Sequence, residues 1–133
     1  MRGFAHLDEV LRHALNAQAL RQQVAAHNIA NVNTPGFRRQ SVRFEDQLQQ
    51  ALRRPSITGR TTHPRHLPIG PSGSVQPRVV TEQDTSMRND DNNVDIEREM
   101  AVLAAAETQY AALVQVVSAR YRMVRSAINQ GGR

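Results

Sequence analysis

Five histidines, twelve acids and no cysteine bound the chemistry that these 133 residues could support. Two of the histidines sit together in His63-Pro64-Arg65-His66. A zinc site needs three or four ligands, and without cysteine no thiolate can complete this pair. The segment therefore reads as a solvated turn. Asp91, Asn93 and Asp95 alternate as the opening of a calcium loop does. Such a loop needs Gly at its sixth position and Glu at its twelfth. Those positions hold Ile96 and Val102, so the cluster reads as helix-capping chemistry. Glu107 is the one acid on an otherwise apolar helical stripe. That placement suits a register device, or a partner for an arginine on a facing helix such as Arg21. No glycine-rich phosphate loop and no Ser-His-Asp spacing is present. The sequence predicts no catalytic residue, no cofactor and no metal, and so no enzyme.

Composition narrows the class further. Apolar residues make up 39% and aromatics 4%, so a large compact core is not expected. The net charge is +5, and all seventeen basic residues are arginine. A basic balance can mean nucleic acid, and a basic helical adaptor or nucleic-acid-associated protein is the alternative reading. Against it, the arginines are spread over every segment, and few aromatics are available to stack on bases. No unbroken run of about 18 apolar residues occurs, so no transmembrane helix is expected. Asp8 and Glu9 fall where a secretory signal would have its apolar segment, so no cleaved signal is expected.

The elements that would position these residues follow from proline. Five of the six prolines lie between Pro55 and Pro77. Proline fixes φ and has no N–H, so this stretch is neither a continuous helix nor a central strand. The expected fold is all-α: an elongated antiparallel pair of long helices, a coiled coil, joined by an irregular Pro/Gly-rich middle with a short β segment. The units are an N-terminal helix over 1–31, a turn, short helix and loop over 32–92, and a C-terminal helix over 93–133. The first helix is expected from Asp8 to Ala30, with Asn31 as a left-handed cap and Thr34-Pro35-Gly36 as a type II turn. A short helix is expected over 42–52, with Phe44, Leu48 and Leu52 on one face. An edge strand is expected over 75–80. Residues 47–81 contain no acid, which makes this stretch a surface for anionic partners.

The last helix carries the longest pattern. Ile96, Met100, Leu103, Glu107, Tyr110, Val114, Val117, Tyr121, Val124 and Ile128 recur at alternating steps of 4 and 3. This is a heptad seam that buries a stripe against another helix. Asn93 is its expected N-cap, with Asp95, Glu97 and Glu99 at the start and Arg120, Arg122 and Arg125 at the end. Leu11, Leu15, Val24 and Ile29 of the first helix are expected to pack on this seam.

One continuous block says more than periodicity can. Asn28-Ile29-Ala30-Asn31-Val32-Asn33-Thr34-Pro35-Gly36-Phe37-Arg38 closely resembles the N-terminal signature of flagellar basal body rod and hook proteins, N-I-A-N, two residues, T-P-G-[FY]. The stretches 62–68 and 92–100 resemble the middle, and the start of the C-terminal helix, of the family's short proximal rod members. The resemblance implies a structural subunit of the proximal rod, stacked helically around the export channel. It implies self-association, the rod proteins FlgC and FliE and the export gate as partners, and no small-molecule substrate. It also implies delivery to the periplasmic rod of the basal body by the flagellar type III system, without signal cleavage. Phe44-Glu45-Asp46-Gln47-Leu48 is similar to the F-x-x-x-apolar form of export-gate recognition, with Phe44 and Leu48 as its residues; one amphipathic helical turn would give the same pattern.

Overall fold

A computed structural model describes residues 2–46, 48–49, 76–83 and 90–130. Leu52, His63 and His66, and most of the acid-free segment lie outside the described residues. Helix α1 spans Arg2–Ala30 and helix α2 spans Ile96–Gln130. Strand β1, Gln40–Arg43, pairs antiparallel with β2, Arg78–Thr81, with Val42 opposite Val79. The two helices pack against each other, and the small ribbon lies at one end.

Helix α1 forms because alanine, leucine, glutamine and arginine dominate its sequence, and no proline or glycine interrupts it from Phe4 to Thr34. It begins before Asp8, so that acid does not serve the N-terminal dipole and instead pairs with Arg120 at 2.7 Å. The helix ends where expected, by a different device. Asn31 is not left-handed; its Nδ2 donates to the His27 carbonyl at 2.9 Å, supplying a partner at the C-terminus. The type II turn is present. Gly36 has φ +70°, and the Phe37 amide donates to the Thr34 carbonyl at 3.3 Å. A Cβ on Gly36 would meet nothing within 4 Å, so backbone conformation, not space, selects glycine there.

The expected short helix over 42–52 is corrected at its start. Val42 and Arg43 belong to β1, because the ribbon offers their backbone a ladder before the chain turns helical from residue 45. The edge strand is shifted slightly and begins just after Pro77. The N-cap of α2 is Asp95, whose Oδ1 accepts from the amides of Glu97 at 3.0 Å and Arg98 at 3.3 Å. Asn93 is committed elsewhere.

The Asp8–Arg120 and Asn28–Glu99 contacts fix the antiparallel register over about twenty residues of each helix, roughly 30 Å. The face of α2 that meets α1 is turned from the expected seam. Glu99 and Ala106 are buried, and Leu103, Leu113, Val117 and Arg120 are half-buried. Met100, Val114, Tyr121 and Ile128 remain in water. The reason is size. Ala17 and Ala25 of α1 and Ala106 of α2 are buried, and small residues on the facing lines bring two helices closer than methionine or tyrosine would allow. Of the residues expected on α1, Val24 is buried, while Leu11, Leu15 and Ile29 are half-buried.

The chain exposes 10381 Å² of surface, whereas a compact monomer of this mass exposes roughly 7,000 Å². Helix α2 exposes Met100, Val116, Tyr121, Met123 and Ile128. By length and composition this helix is apolar enough to cross a membrane, with an 18-residue window of mean hydropathy 1.4. The run is not unbroken, since Glu107, Thr108, Gln109 and Gln115 lie within it.

Candidate functional site: the polar clasp

The largest fully buried side chains are Glu99, Asn28 and Asn92. A site made of such groups persists only if each has partners, and here each does. Two linked knots join the turn after α1 to the start of α2.

In the first knot, Asn28 sits on the last turn of α1. Its Nδ2 donates to the Gln40 carbonyl at 2.7 Å and to Glu99 Oε2 at 2.9 Å, and its Oδ1 accepts from the Gln40 amide at 3.0 Å. Arg39 enters from the strand side. Its Nε donates to Glu99 Oε1 at 2.5 Å, and a terminal nitrogen donates to Glu82 Oε1 at 2.6 Å. One guanidinium thus bridges two carboxylates, and the second oxygen of Glu99 goes to Asn28. Burial alone would lower the Arg39 pKa; the hydrogen bonds to Glu82 and Glu99, and their charges, outweigh it and raise it. Burial acts to raise Glu82, but the bonds from Arg39 and Ser41 prevail and hold it below its ordinary value.

In the second knot, Asn92 lies beneath the signature turn. Its Nδ2 reaches the carbonyls of Asn31, Val32 and Thr34 at 3.1, 3.0 and 2.9 Å, and its Oδ1 accepts from the Val94 amide at 2.8 Å. The Gly36 amide donates to the Asp90 carbonyl at 2.8 Å. Asn93 ties the knots together: its Oδ1 accepts from the Arg39 amide at 2.6 Å, and its Nδ2 donates to the Glu82 carbonyl at 3.1 Å. Beside the clasp is an open cleft of about 270 Å³, lined by Arg21, Arg39, Ser41, Glu82, Arg98 and Glu99 among others.

Several signature residues therefore have physical tasks. Asn28 holds β1 and α2, Asn31 closes α1, Gly36 makes the turn, and the Phe37 ring stands edge-on to His27 at 5.4 Å. Thr34 Oγ1 donates to Asn31 Oδ1 at 3.2 Å. Pro35 and Ala30 are exposed, and Ile29 is half-buried. Arg21 does not meet Glu107; it pairs with Glu45, and Glu107 is exposed. Phe44 is buried, 3% exposed, and the Leu48 amide donates to its carbonyl at 3.0 Å. Sequence reasoning missed Arg39, Glu82 and Asn92 as members of the site. It assigned Asn93 and Glu99 to the helix start rather than to long-range bonds. The available signal was Glu99 beside an apolar stripe, where a lone acid must find a buried partner.

This arrangement holds backbone to backbone. Its polar atoms are turned on one another, and among the described residues no group of three or more His, Asp or Glu could hold a metal ion. Fold and site together define a helical-hairpin structural subunit with a fixed joint and an open flank. Known proteins match this chain in sequence. The profile of the flagella basal body rod protein family matches residues 9–38, which include the signature. The chain is 31% identical to the flagellar basal body rod protein FlgB of Bacillus subtilis, over 91% of this chain and 92% of that one. It is 30% identical to FlgB of Escherichia coli, over 94% and 96%, and 32% identical to FlgB of Yersinia enterocolitica, over 94% and 97%. The chain belongs to the FlgB family of flagellar basal body rod proteins.

Proposed function

We propose that this chain acts as one rod-type structural unit of the flagellar proximal rod, wound with its copies around the export channel, and that it catalyses no reaction. The observation that carries this reading is the clasp. It uses Asn28, Asn31 and Gly36 of the signature, with the buried Asn92 and Glu99, to fix how α1, the turn and α2 meet. A subunit repeated in a filament needs such a fixed joint, because an angular error at each copy would accumulate along the assembly.

Its neighbours in this reading are further copies, the rod proteins FlgC and FliE, and the export gate. It reaches the periplasmic rod through the type III system as an unfolded chain. Phe44 and Leu48 are then read by the gate before folding, since Phe44 is enclosed in the finished hairpin. The helix-packing residues of α1 and α2 serve the assembled state.

An in-frame deletion of the gene in its host tests the proposal, with basal bodies purified and imaged and motility scored. The expected result is loss of swimming and no rod above the inner-membrane ring, both restored by the intact gene. Complete rods and normal swimming, with no second copy of the gene, would overturn it.

A further inference from the structure

We infer that the outer edge of β2 is a docking edge for an extended acidic segment of another protein, added to the ribbon as a third strand. This goes beyond the rod reading and does not depend on it. The Glu82 amide donates to the Arg39 carbonyl at 2.8 Å, and these two residues continue the register that sets Gln40 opposite Thr81. In an antiparallel pair, such directly bonded positions alternate with positions whose backbone groups point away from the partner strand. Arg39, Ser41 and Arg43 therefore bond to Glu82, Val80 and Arg78, while Gln40, Val42, Val79 and Thr81 turn their amides and carbonyls outward.

The two outer edges differ. On β1, the Asn28 side chain bonds both the amide and the carbonyl of Gln40, and Arg21 Nη2 donates to the Val42 carbonyl at 3.5 Å. Helix α1 thus closes that edge with side chains. On β2, no partner among the described residues meets the outward groups of Val79 and Thr81, and both residues are exposed. The opening is bounded. Pro77, next in the outward series, has no N–H, and beyond Thr81 the chain is tied down through Glu82, whose carboxylate pairs with Arg39 and whose carbonyl accepts from Asn93. Two residues with outward amides and carbonyls suit one short added strand.

Charge names the occupant. Arg43 and Arg78 stand directly opposite each other in the ribbon, both exposed, and neither pairs with an acid among the described residues. Like charges directly opposite weaken a ribbon, and a carboxylate on an adjoining strand offsets that cost. A strand added at β2 runs about 5 Å away and sets one side chain beside Arg78, on the face that Arg43 shares. The other face offers Val79, 39% exposed, to a β-branched side chain. The matching segment therefore alternates carboxylates with valine or isoleucine. The acid-free sequence over 47–81 leads into β2 and favours the approach of such a segment. A second copy's β2 fits poorly: paired about Val80, it would offer Arg78 only Glu82, which Arg39 already holds.

The probe is an end-blocked peptide, Glu-Val-Glu-Val-Glu, added to the full-length chain and followed by backbone amide exchange. In the chain alone, Val79 and Thr81 should exchange about tenfold faster than Val80, whose amide is bonded within the ribbon. Saturating peptide should slow both to the Val80 rate. Val79 and Thr81 as slow as Val80 before any peptide is added would mean that the chain covers its own edge, and would overturn the inference. The same peptide with its internal nitrogens methylated keeps its charge and loses its donors; equal binding by it refutes strand addition. Arg78→Glu should weaken the acidic peptide about tenfold and favour Lys-Val-Lys-Val-Lys instead, and an unchanged preference refutes the acidic occupant. Val79→Pro deletes only an outward N–H, so it should keep the protection of Val80 and abolish peptide binding. Parent-like binding by Val79→Pro would also overturn the inference. None of these outcomes bears on the rod reading, which the gene deletion tests separately.

Discussion

The two ends of the hairpin are built on opposite principles. At the clasp end, Asn28, Asn92 and Glu99 are fully enclosed, and every one of them is bonded to a different part of the chain. Toward the other end, α1 and α2 meet through alanine and half-buried aliphatic groups, with the Asp8–Arg120 pair as their charged tie. Small apolar residues hold helices close but tolerate sliding, since one alanine fits another's place. Directional hydrogen bonds tolerate none. One end of the subunit is thus complete in the single chain. The other leaves apolar side chains of α2 in water.

The sharpest way to break this comparison is to remove one charge from the clasp. Glu99→Ala leaves the buried Arg39 guanidinium with Glu82 alone and takes an acceptor from Asn28, and losing one partner of a buried pair costs about 3–5 kcal/mol. For so thin a core that is enough to unfold much of the chain, read as the loss of helical circular dichroism in urea titrations. The double variant Arg39→Met with Glu99→Leu should recover part of the loss, because no buried guanidinium is then left without Glu99 and the remaining carboxylate, Glu82, is only half-buried. A Glu99→Ala midpoint unchanged from the parent would show that the clasp does not hold the fold.

Asn92→Ala comes next. It leaves the carbonyls of Asn31, Val32 and Thr34 without this donor, at a cost of about 1–3 kcal/mol. The loss should be concentrated in the signature turn. Amide exchange at Gly36 and Phe37 should accelerate more than exchange in the middle of α1, and equal acceleration of both would disconnect Asn92 from the turn.

Acid should weaken the clasp and the neighbouring Arg21–Glu45 pair. Hydrogen bonding from Arg21 holds Glu45 below its ordinary value near 4.5. Glu82 is lowered against the effect of burial by Arg39 and Ser41. Folded pKa values below the unfolded ones mean that the unfolded chain binds more protons as the pH drops. The stabilisation is present above the unfolded value and disappears as pH falls through the folded one. Urea midpoints should therefore decline below about pH 4.5, and Glu82→Gln should flatten that decline. A midpoint that rises on acidification would reverse the assignment.

What the sequence revealed and what it hid divide along the same line. Both long helices, their antiparallel pairing, the turn at Pro35-Gly36 and a strand near Pro77 follow from local rules: propensity, proline, positive φ and period. The clasp does not, because Arg39, Glu82 and Asn92 are brought together by tertiary folding, and no local rule pairs them. The seam was legible as a repeat but not as a direction. Seven-residue spacing says that a helix buries a stripe, yet the small residues Ala17, Ala25 and Ala106 decide which line faces α1. Asn93 illustrates the limit: its type and position suit an N-cap, but a long-range bond to Arg39 claims it and Asp95 caps instead. Phe44 to Leu48 keeps its spacing in the structure, and its use by an export gate stays a proposal.

The smallest effects belong to the other end of the hairpin. Val117 is half-buried on α2, and truncation to alanine should cost about 1 kcal/mol in the free chain. Asp8→Asn should cost less. The Asp8 carboxylate is 51% exposed, although its partner Arg120 is largely covered. Ion pairs of this kind contribute roughly 0–1 kcal/mol and are screened by salt. The urea midpoint of Asp8→Asn should therefore sit close to the parent in 0.5 M salt, with any gap opening only at low ionic strength. If Asp8→Asn instead cost as much as Glu99→Ala at high salt, the far end would be as tightly fixed as the clasp. The hairpin would then be one uniformly rigid bar, and the contrast between its two ends would fall.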